Sequence, residues 1–577
     1  MAKIKFKINN KIIEAEKGKT ILEAAKENGI YVPSLCNHTD LDIKPNCRVC
    51  GVEIRGQKKL LTACSTKIEK DMEVFTNTPR VKKARKTNLE LIFSQHKEEC
   101  SDCVWEPNCE LLSLAEKNKV TINRFEDRKT NYPVYSFNDV IEFDSSKCID
   151  CRNCVEVCKN QGVGYLEVQK RGHEMKIVPT KKKDIDCIYC GQCIMHCPAG
   201  AFESKGEFEA IECALKQKGK TTVVQFAPSI RTSIGEEFCM DYGEVVTEKL
   251  IAALRKLGFD YVLDTSTGAD FTTTEESEEI VKHIKEKKGL PLLTSCCPSW
   301  VRYVEFNYPE YISHLTTARS PQEMLGGIVK TYWAKKKGID PKDIYMVSIM
   351  PCTAKKYEID RSELKVSGMP SVDCVLTTRE LARLLKKKKI DFAKLKPAKL
   401  DNLIGEPTGA GVIYGATGGV MESAFRTTYE KLTGKKLKKV DFEQVRGMEG
   451  IREAEVTACG NCHKIAVVNG LGNAKKLFDY FRRHPEKNDY TCIEVMACPG
   501  GCIGGGGQPL PMDENIRLAR ANGLYKIDKN TKIRRAHENP IVKKIYKEFF
   551  EKDKKARHEI LHTTYHKQKR GKVKILK

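Results

Sequence analysis

Between Cys148 and Cys197 the chain repeats one spacing: Cys148-x2-Cys151-x2-Cys154-x3-Cys158, then Cys187-x2-Cys190-x2-Cys193-x3-Cys197, with Pro198 directly after. Packing alone gives no reason for eight thiols at two matched spacings, whereas thiolates that must meet on metal do. In the two-cluster iron–sulfur pattern the fourth cysteine of each run reaches across to the other cluster. That assigns Cys148, Cys151, Cys154 and Cys197 to one [4Fe-4S] centre, and Cys187, Cys190, Cys193 and Cys158 to a second, in a module expected over residues 126–208. Two zinc knuckles are the alternative. Lys159 stands where the second run has its proline, which changes the turn and leaves the ligands alone.

Cysteine totals 26 in 577 residues. The first residues alternate like a strand with no apolar leader, and no run of 18 apolar residues occurs, so a cytoplasmic chain without membrane insertion is expected. In a reducing compartment thiols at this density read as metal or redox chemistry. The length suits about three to five domains. The net charge of +23, from 100 basic and 77 acidic side chains, fits an acidic redox partner drawn in by its field or a nucleic acid. Basic residues interleaved with aromatics are not evident, so no nucleic acid is expected, and the lysines spread along the whole chain read as a solvated surface.

Two more ligand groups lie upstream. Residues 1–80 alternate at Ile4, Phe6 and Ile8, carry a helical pattern from Thr20 to Asn28, and then present Cys36, Cys47, Cys50 and Cys64 at x10, x2 and x13. Four thiolates suit a [2Fe-2S] cluster, although the first gap exceeds the plant-type x4, and a zinc site is open on spacing alone. Residues 81–125 hold His96, Cys100, Cys103 and Cys109 at x3, x2 and x5. That set fits a zinc site of three thiolates and one imidazole, or an iron–sulfur cluster with one imidazole ligand.

Residues 209–514 read as α/β. Strand candidates Thr221 to Phe226, Tyr261 to Asp264, Ile344 to Ile349 and Ile465 to Val468 alternate with helical patterns, which predicts a mainly parallel sheet. Three apolar runs here end in cysteine stretches: Leu292-Leu293 before Thr294-Ser295-Cys296-Cys297-Pro298, Ile344 to Ile349 before Met350-Pro351-Cys352-Thr353-Ala354-Lys355, and Cys492 to Met496 before Ala497-Cys498-Pro499-Gly500-Gly501-Cys502. Sites in open α/β sheets collect at the carboxyl ends of strands. Cys297, Cys352, Cys498 and Cys502 are therefore expected to converge. The runs Gly409 to Gly419 and Gly504 to Gly507 are not phosphate-binding loops. Gly504 to Gly507, having no Cβ, reads as backbone that can approach a bulky cofactor.

These three stretches resemble, in residue, order and spacing, the signature motifs of [FeFe]-hydrogenases, and the resemblance extends over nearly the whole chain. It implies an H-cluster: a [4Fe-4S] cubane on Cys297, Cys352, Cys498 and Cys502, joined through Cys502 to a two-iron unit with CO, cyanide and a bridging dithiolate. It further implies cyanide contacts from Lys355 and from Ser229 with Pro228, pocket lining by Gln322, Met350 and Met496, and a backbone that comes close to the same cavity at Gly409 to Gly419. The fold implied is multidomain α+β and α/β: a β-grasp [2Fe-2S] domain, a small [4Fe-4S] domain with one histidine and three cysteine ligands that is shared with complex I, a two-cluster bacterial ferredoxin-like domain, a large H-cluster domain, and over 515–577 a wrap that elsewhere is a separate small subunit. One [2Fe-2S] and three accessory [4Fe-4S] clusters would form the electron relay. Residues 567–577 hold six basic side chains and are expected to be disordered.

The resemblance also implies a proton route: Cys296 beside the two-iron unit, then Glu276, Thr316 and Glu279. His283 stands where the family has an arginine, and Thr316 replaces a serine. An ordinary thiol, with a pKa near about 8.5, exchanges protons near neutrality. Without the resemblance, Thr273-x-x-Glu276 also fits a capping box. Six cysteines have no role in this scheme: Cys213, Cys239, Cys374, Cys459, Cys462 and Cys492. Cys459 and Cys462 read as a reduced pair in a surface turn.

The function expected is reversible 2H⁺ + 2e⁻ ⇌ H₂, with ferredoxin or flavodoxin as electron partner and maturation proteins supplying the two-iron unit. The rivals are a non-catalytic hydrogenase-like iron–sulfur sensor, which would lack the shuttle cysteine or pocket motifs, and a complex-I-type electron-transfer subunit, which would lack the paired Cys296-Cys297.

Overall fold

The computed structural model describes residues 2–105, 109–127, 132–401 and 404–576. At the N-terminus the apolar alternation forms a hairpin, β1 (Lys3–Ile8) with β2 (Lys11–Glu16). The helix Ile21–Glu27 follows, opened by a capping box in which Thr20 accepts from Glu23 N. With β3 (Gly51–Ile54), β4 (Leu61–Thr62) and β5 (Glu73–Phe75) the sheet order is β2-β1-β5-β3-β4, the central β1–β5 pair being parallel. The helix Pro79–Phe93, capped by Thr78, leads to His96.

The duplicated cysteine runs fold as a duplicated backbone. The residue before and the residue after the second cysteine are left-handed in both copies: Asp150 and Arg152 in one, Tyr189 and Gly191 in the other. Each copy then enters a helix, Asn153–Asn160 or Gln192–Met195. Antiparallel strands surround them: β6 (Val134–Phe137), β7 (Ile141–Asp144), the β8 (Leu166–Gln169)–β9 (Lys176–Pro179) hairpin, and β10 (Phe202–Ser204).

The large α/β part contains two four-stranded sheets where the sequence suggests one. The first has the order β12 (Tyr261–Asp264), β11 (Thr221–Phe226), β14 (Ile344–Met350), β15 (Cys374–Thr377), all parallel. The second runs β13 (Leu292–Leu293), β18 (Cys492–Met496), β17 (Asn461–Asn469), β16 (Ile451–Ala458), with only β16 antiparallel. Apart from the edge strand β16, whose exposure alternates, and the tip end of β17, these strands are largely buried and read mostly as apolar runs. The C-terminal ends of β13, β14 and β18 carry the three cysteine stretches, which meet at one cavity. The helix Thr265–Glu286 follows β12. It starts at the cap Asp264, so Thr273 is interior: its hydroxyl bonds Tyr414 and Ser423 instead of capping.

The basic terminus differs from the expectation of disorder. β19 (Val573–Ile575) pairs antiparallel with β6, and Arg570 donates to the Lys182 carbonyl. A charge run suggests solvation only when no open sheet edge is within reach, and β6 offers one. None of the described helices is long and apolar enough to cross a membrane.

Candidate active site

Pro228, Cys296, Cys297, Gln322, Met350, Cys352, Lys355, Tyr414, Gly415, Met496 and Cys502 line a cavity with about 590 Å³ of empty volume. Cys498 lies against the same group, its thiol raised by burial and by Cys352, Cys190, Cys297 and Cys502. Burial pushes Cys352 up to about 12, with Cys297 adding to it. Four enclosed thiols that oppose each other's ionisation stay protonated as a bare set, since their thiolates would be costly there. A cationic metal centre reverses that cost by taking them as thiolates. Cys297 also caps the helix Pro298–Asn307, whose N-terminal dipole favours an anionic ligand.

The polar groups around the cavity are only partly used by the protein itself. Lys355 Nζ donates to the Cys296 carbonyl at 3.1 Å and to Glu358 at 2.7 Å, which aims the ammonium along the cavity wall. Ser229 Oγ and Gln322 Oε1 are buried without a hydrogen-bond partner among the described residues, although Gln322 Nε2 donates to Glu358. Thus a deep apolar cavity, four soft ligands, one cation and an orphan hydroxyl fit a metal cluster with polar diatomic ligands.

The second glycine run has a packing role that the sequence does not show. A Cβ on Gly505 would meet the Pro351 carbonyl oxygen at 2.2 Å, and one on Gly506 the Cys190 carbonyl oxygen at 2.5 Å. The Gly504–Gly507 loop therefore approaches neighbouring protein backbone and clamps the loops carrying Cys352 and Cys190 together. Gln192 Nε2 also donates to Gly504 O at 3.0 Å, and Thr353 Oγ1 to Tyr189 O at 2.6 Å. From the first run, Gly415 and its neighbour Tyr414 reach the cavity wall.

The other ligand sets are also brought together. Cys154 is raised by burial and then by Cys151, Cys148 and Cys197. Cys193 is raised by burial, then by Cys190, Cys187 and Cys158. His96, Cys100, Cys103 and Cys109 line one pocket, and His96 Nδ1 lies 2.8 Å from the Lys147 carbonyl. A backbone carbonyl on one ring nitrogen is the usual orienting contact of an imidazole metal ligand. In the N-terminal module Cys36 beside Cys47 holds the Cys47 thiol below its ordinary value, and Cys64 does the same to Cys50.

On the proton side, burial and then Glu276 hold the Cys296 thiol well above its ordinary value. It is a weaker acid than a free thiol, contrary to the expectation from the sequence. Glu276 is itself pushed up to about 8 by burial, and its Oε2 has no partner among the described residues. Its Oε1 is 3.0 Å from Thr316 Oγ1, which is 2.9 Å from Ser295 Oγ. Glu279 meets the next residue: Thr317 N donates to Glu279 Oε2 at 3.0 Å, and the Thr317 hydroxyl bonds Oε1.

His283 does not join this group. Its Nδ1 is 2.8 Å from the Lys288 carbonyl at the end of the helix, because the helix carries it one turn past Glu279. The imidazole beside Glu279 is that of His562, which sequence reasoning missed. The pair joins the middle of the chain to its C-terminal segment, so no local pattern announces it. Ser295, Thr317, Glu358 and Tyr414 were missed for the same reason. Cys459 and Cys462 are exposed at the tip of the β16–β17 hairpin.

Comparison with known proteins gives five consecutive family matches: a 2Fe-2S iron-sulfur cluster binding domain (1–79), the NADH-ubiquinone oxidoreductase-G iron-sulfur binding region (85–124), a 4Fe-4S dicluster domain (147–201), the iron only hydrogenase large subunit, C-terminal domain (220–506), and the iron hydrogenase small subunit (514–568). The chain is 42% identical to NADP-reducing hydrogenase subunit HndD of Solidesulfovibrio fructosivorans over 99% of its own length and all of that protein. It is 40% identical to Iron hydrogenase 1 of Clostridium pasteurianum, covering 97% of this chain and 99% of that one. Among solved structures, a variant of apo [FeFe]-hydrogenase HydA1 from Chlamydomonas reinhardtii aligns at TM-score 0.56 and 38% identity over 62% of this chain and 98% of that one.

Proposed function

The chain belongs to the iron-only ([FeFe]) hydrogenase family, and from that premise we propose how its own residues serve the reaction. The enzyme catalyses 2H⁺ + 2e⁻ ⇌ H₂ with iron–sulfur relays and an H-cluster. Cys297, Cys352, Cys498 and Cys502 would hold the H-cluster, which when bound would supply the metal chemistry of dihydrogen formation and cleavage. Lys355 and the unpartnered Ser229 hydroxyl would donate hydrogen bonds to its polar ligands, and Pro228, Gln322, Met350 and Met496 would shape the wall and exclude water. The observation that carries this reading is the convergence of Cys296, Cys297, Cys352, Cys502 and Lys355 on one buried cavity.

Cys36, Cys47, Cys50 and Cys64 would hold one [2Fe-2S] cluster, and the His96 set and the two crossed cysteine sets would hold three [4Fe-4S] clusters, which would supply the electron relay. The order β2-β1-β5-β3-β4 supports the β-grasp reading of residues 1–80, and the duplicated left-handed turns support the two-cluster reading of 126–208. The remaining segments are 81–125, 209–514 and 515–577. The cluster held with Cys190 is the last before the active site, since its loop is clamped onto the glycine loop after Cys502. A reduced ferredoxin or flavodoxin is the electron partner, and maturation proteins supply the two-iron unit.

Protons pass between Cys296, Glu276 and Thr316, and onward to Glu279. The Cys296 thiol holds its proton at the edge of the cavity. Glu276, neutral below about pH 8, takes the next position, and the Thr316 and Ser295 hydroxyls continue the chain. Infrared spectroscopy of the matured enzyme tests the whole scheme. CO and cyanide stretches should be present, and Cys296→Ala should keep them while losing turnover by about 10²-fold or more. A fully active Cys296→Ala enzyme would overturn the proton assignment.

A further inference from the structure

We infer that His562, on the C-terminal segment, is the outlet of the proton route: it positions Glu279 and exchanges protons with it through the Thr317 hydroxyl. The inference rests on the reading of Glu276 and Glu279 as proton carriers. Its geometry is independent of that reading. His562 Nδ1 is 2.8 Å from Thr317 Oγ1 and 3.5 Å from Glu279 Oε1, while Nε2 is 3.1 Å from Glu275 Oε2. The ring is fixed by backbone: Ala318 and His562 form an antiparallel bridge, Thr563 N donates to Thr317 O at 2.8 Å, and Arg319 Nε donates to His562 O at 2.9 Å. The side chain is 16% exposed, whereas Glu276 is buried. Glu279 is 17% exposed and Thr317 is exposed as well, so Glu279, Thr317 and His562 together stand where the buried route meets solvent.

The charges facing the ring come from three elements. The helix Thr265–Glu286 presents Glu275, Glu278 and Glu279. The helix Lys554–Leu561 presents Arg557, which binds Glu275 at 2.8 and 3.0 Å and Glu278 at 2.6 Å, and His558, whose ring is 5.5 Å away. The segment before Pro321 presents Arg319, and the Tyr546 hydroxyl bonds Glu275. Burial opposes charge on His562, but Glu275 and Glu279 outweigh it and raise the imidazole to about 9. The ring is therefore an imidazolium at neutral pH, with Glu275 holding its Nε2–H as an anchor. In the inward step the Nδ1–H bond breaks and the proton goes to Thr317 Oγ1, which passes its own proton to Glu279 Oε1. The neutral ring then takes a proton from water at Nδ1. H₂ oxidation runs the same steps backward.

The test uses the full-length, matured enzyme and the variants H562A, H562Q, E279Q and E276Q. Hydrogen evolution from reduced methyl viologen is measured from pH 5 to 10, with and without added imidazole, and the CO and cyanide infrared bands are recorded on the same samples. H562A should keep the bands, lose turnover about tenfold or more, and regain most of it with imidazole. E279Q and E276Q should be slow with or without imidazole. H562A and H562Q with the wild-type rate and pH profile, beside slow E279Q, would overturn the outlet and leave the inner route standing. So would an H562A enzyme that is slow, unrescued and altered in its bands, since that is a structural role. Fully active E276Q and E279Q would instead sink the inner route itself.

Discussion

A carboxyl group sealed in protein behaves unlike one in water, and Glu276 is the residue where this matters most. Burial raises it from about 4.5 to about 8, because the ionised form would be stranded far from solvent. The sign of its linkage follows. The folded chain keeps this proton where the unfolded chain releases it, so the associated stability is full below about pH 4.5 and is lost as pH rises through about 8. Glu276→Gln, neutral at every pH, should remove that loss: its Tm relative to the wild type should be higher at pH 9 than at pH 5. Turnover should fall about 10²–10⁴-fold, the range for losing a general acid–base. A variant whose Tm difference is flat across that interval would mean the carboxyl is not buried as described. At this scale the cysteine stretches and Lys355 were visible as long motifs, and Glu276 came only with the family resemblance. His562 was not, since the pairing that gives it meaning exists only after the C-terminus has folded back.

Three strands set the site. β13, β14 and β18 are short, apolar and parallel to their neighbours, and each releases a cysteine where its pairing stops. Their existence was visible as apolar runs; their division between two sheets was not, because pairing partners leave no periodic trace. The glycine loop after Cys502 shows the same limit. Its glycines were visible and their packing against Pro351 and Cys190 was not, since what a missing Cβ makes room for here is a neighbour distant in sequence. Gly505→Ala should push against the Pro351 carbonyl oxygen and part the Cys352 loop from the Cys502 loop. The cost is on the order of 1–3 kcal/mol. Iron content per chain should drop together with H₂ turnover while far-ultraviolet circular dichroism is unchanged; full iron loading and full activity would show that the clamp has slack.

Over the whole molecule, the relay modules are not beads on a string. Arg517, near the C-terminus, binds Asp40 of the N-terminal module at 2.7 and 2.9 Å, and β19 completes the sheet of the dicluster module. The C-terminal segment therefore holds the relay against the catalytic part. The net charge of +23 gives the assembly a field that attracts an acidic electron carrier. With reduced ferredoxin, kcat/KM should fall about tenfold or more between roughly 20 and 500 mM salt, as screening shortens the field's reach. The rate with a cationic viologen should not fall alongside it. Equal salt responses for both donors would remove electrostatic steering from the account.

Ligand spacing was decided by the linear order of residues, because a cluster's bite is short and the turns that satisfy it are local. So were the succession of modules and the reaction they serve, each written in a contiguous motif. Which loops touch, where the proton route reaches water, and that a lysine-rich tail becomes a strand were decided only by tertiary structure. Those outcomes depend on surfaces that meet across long stretches of chain, where the energy of burial and pairing is shared between segments that carry no mark of each other.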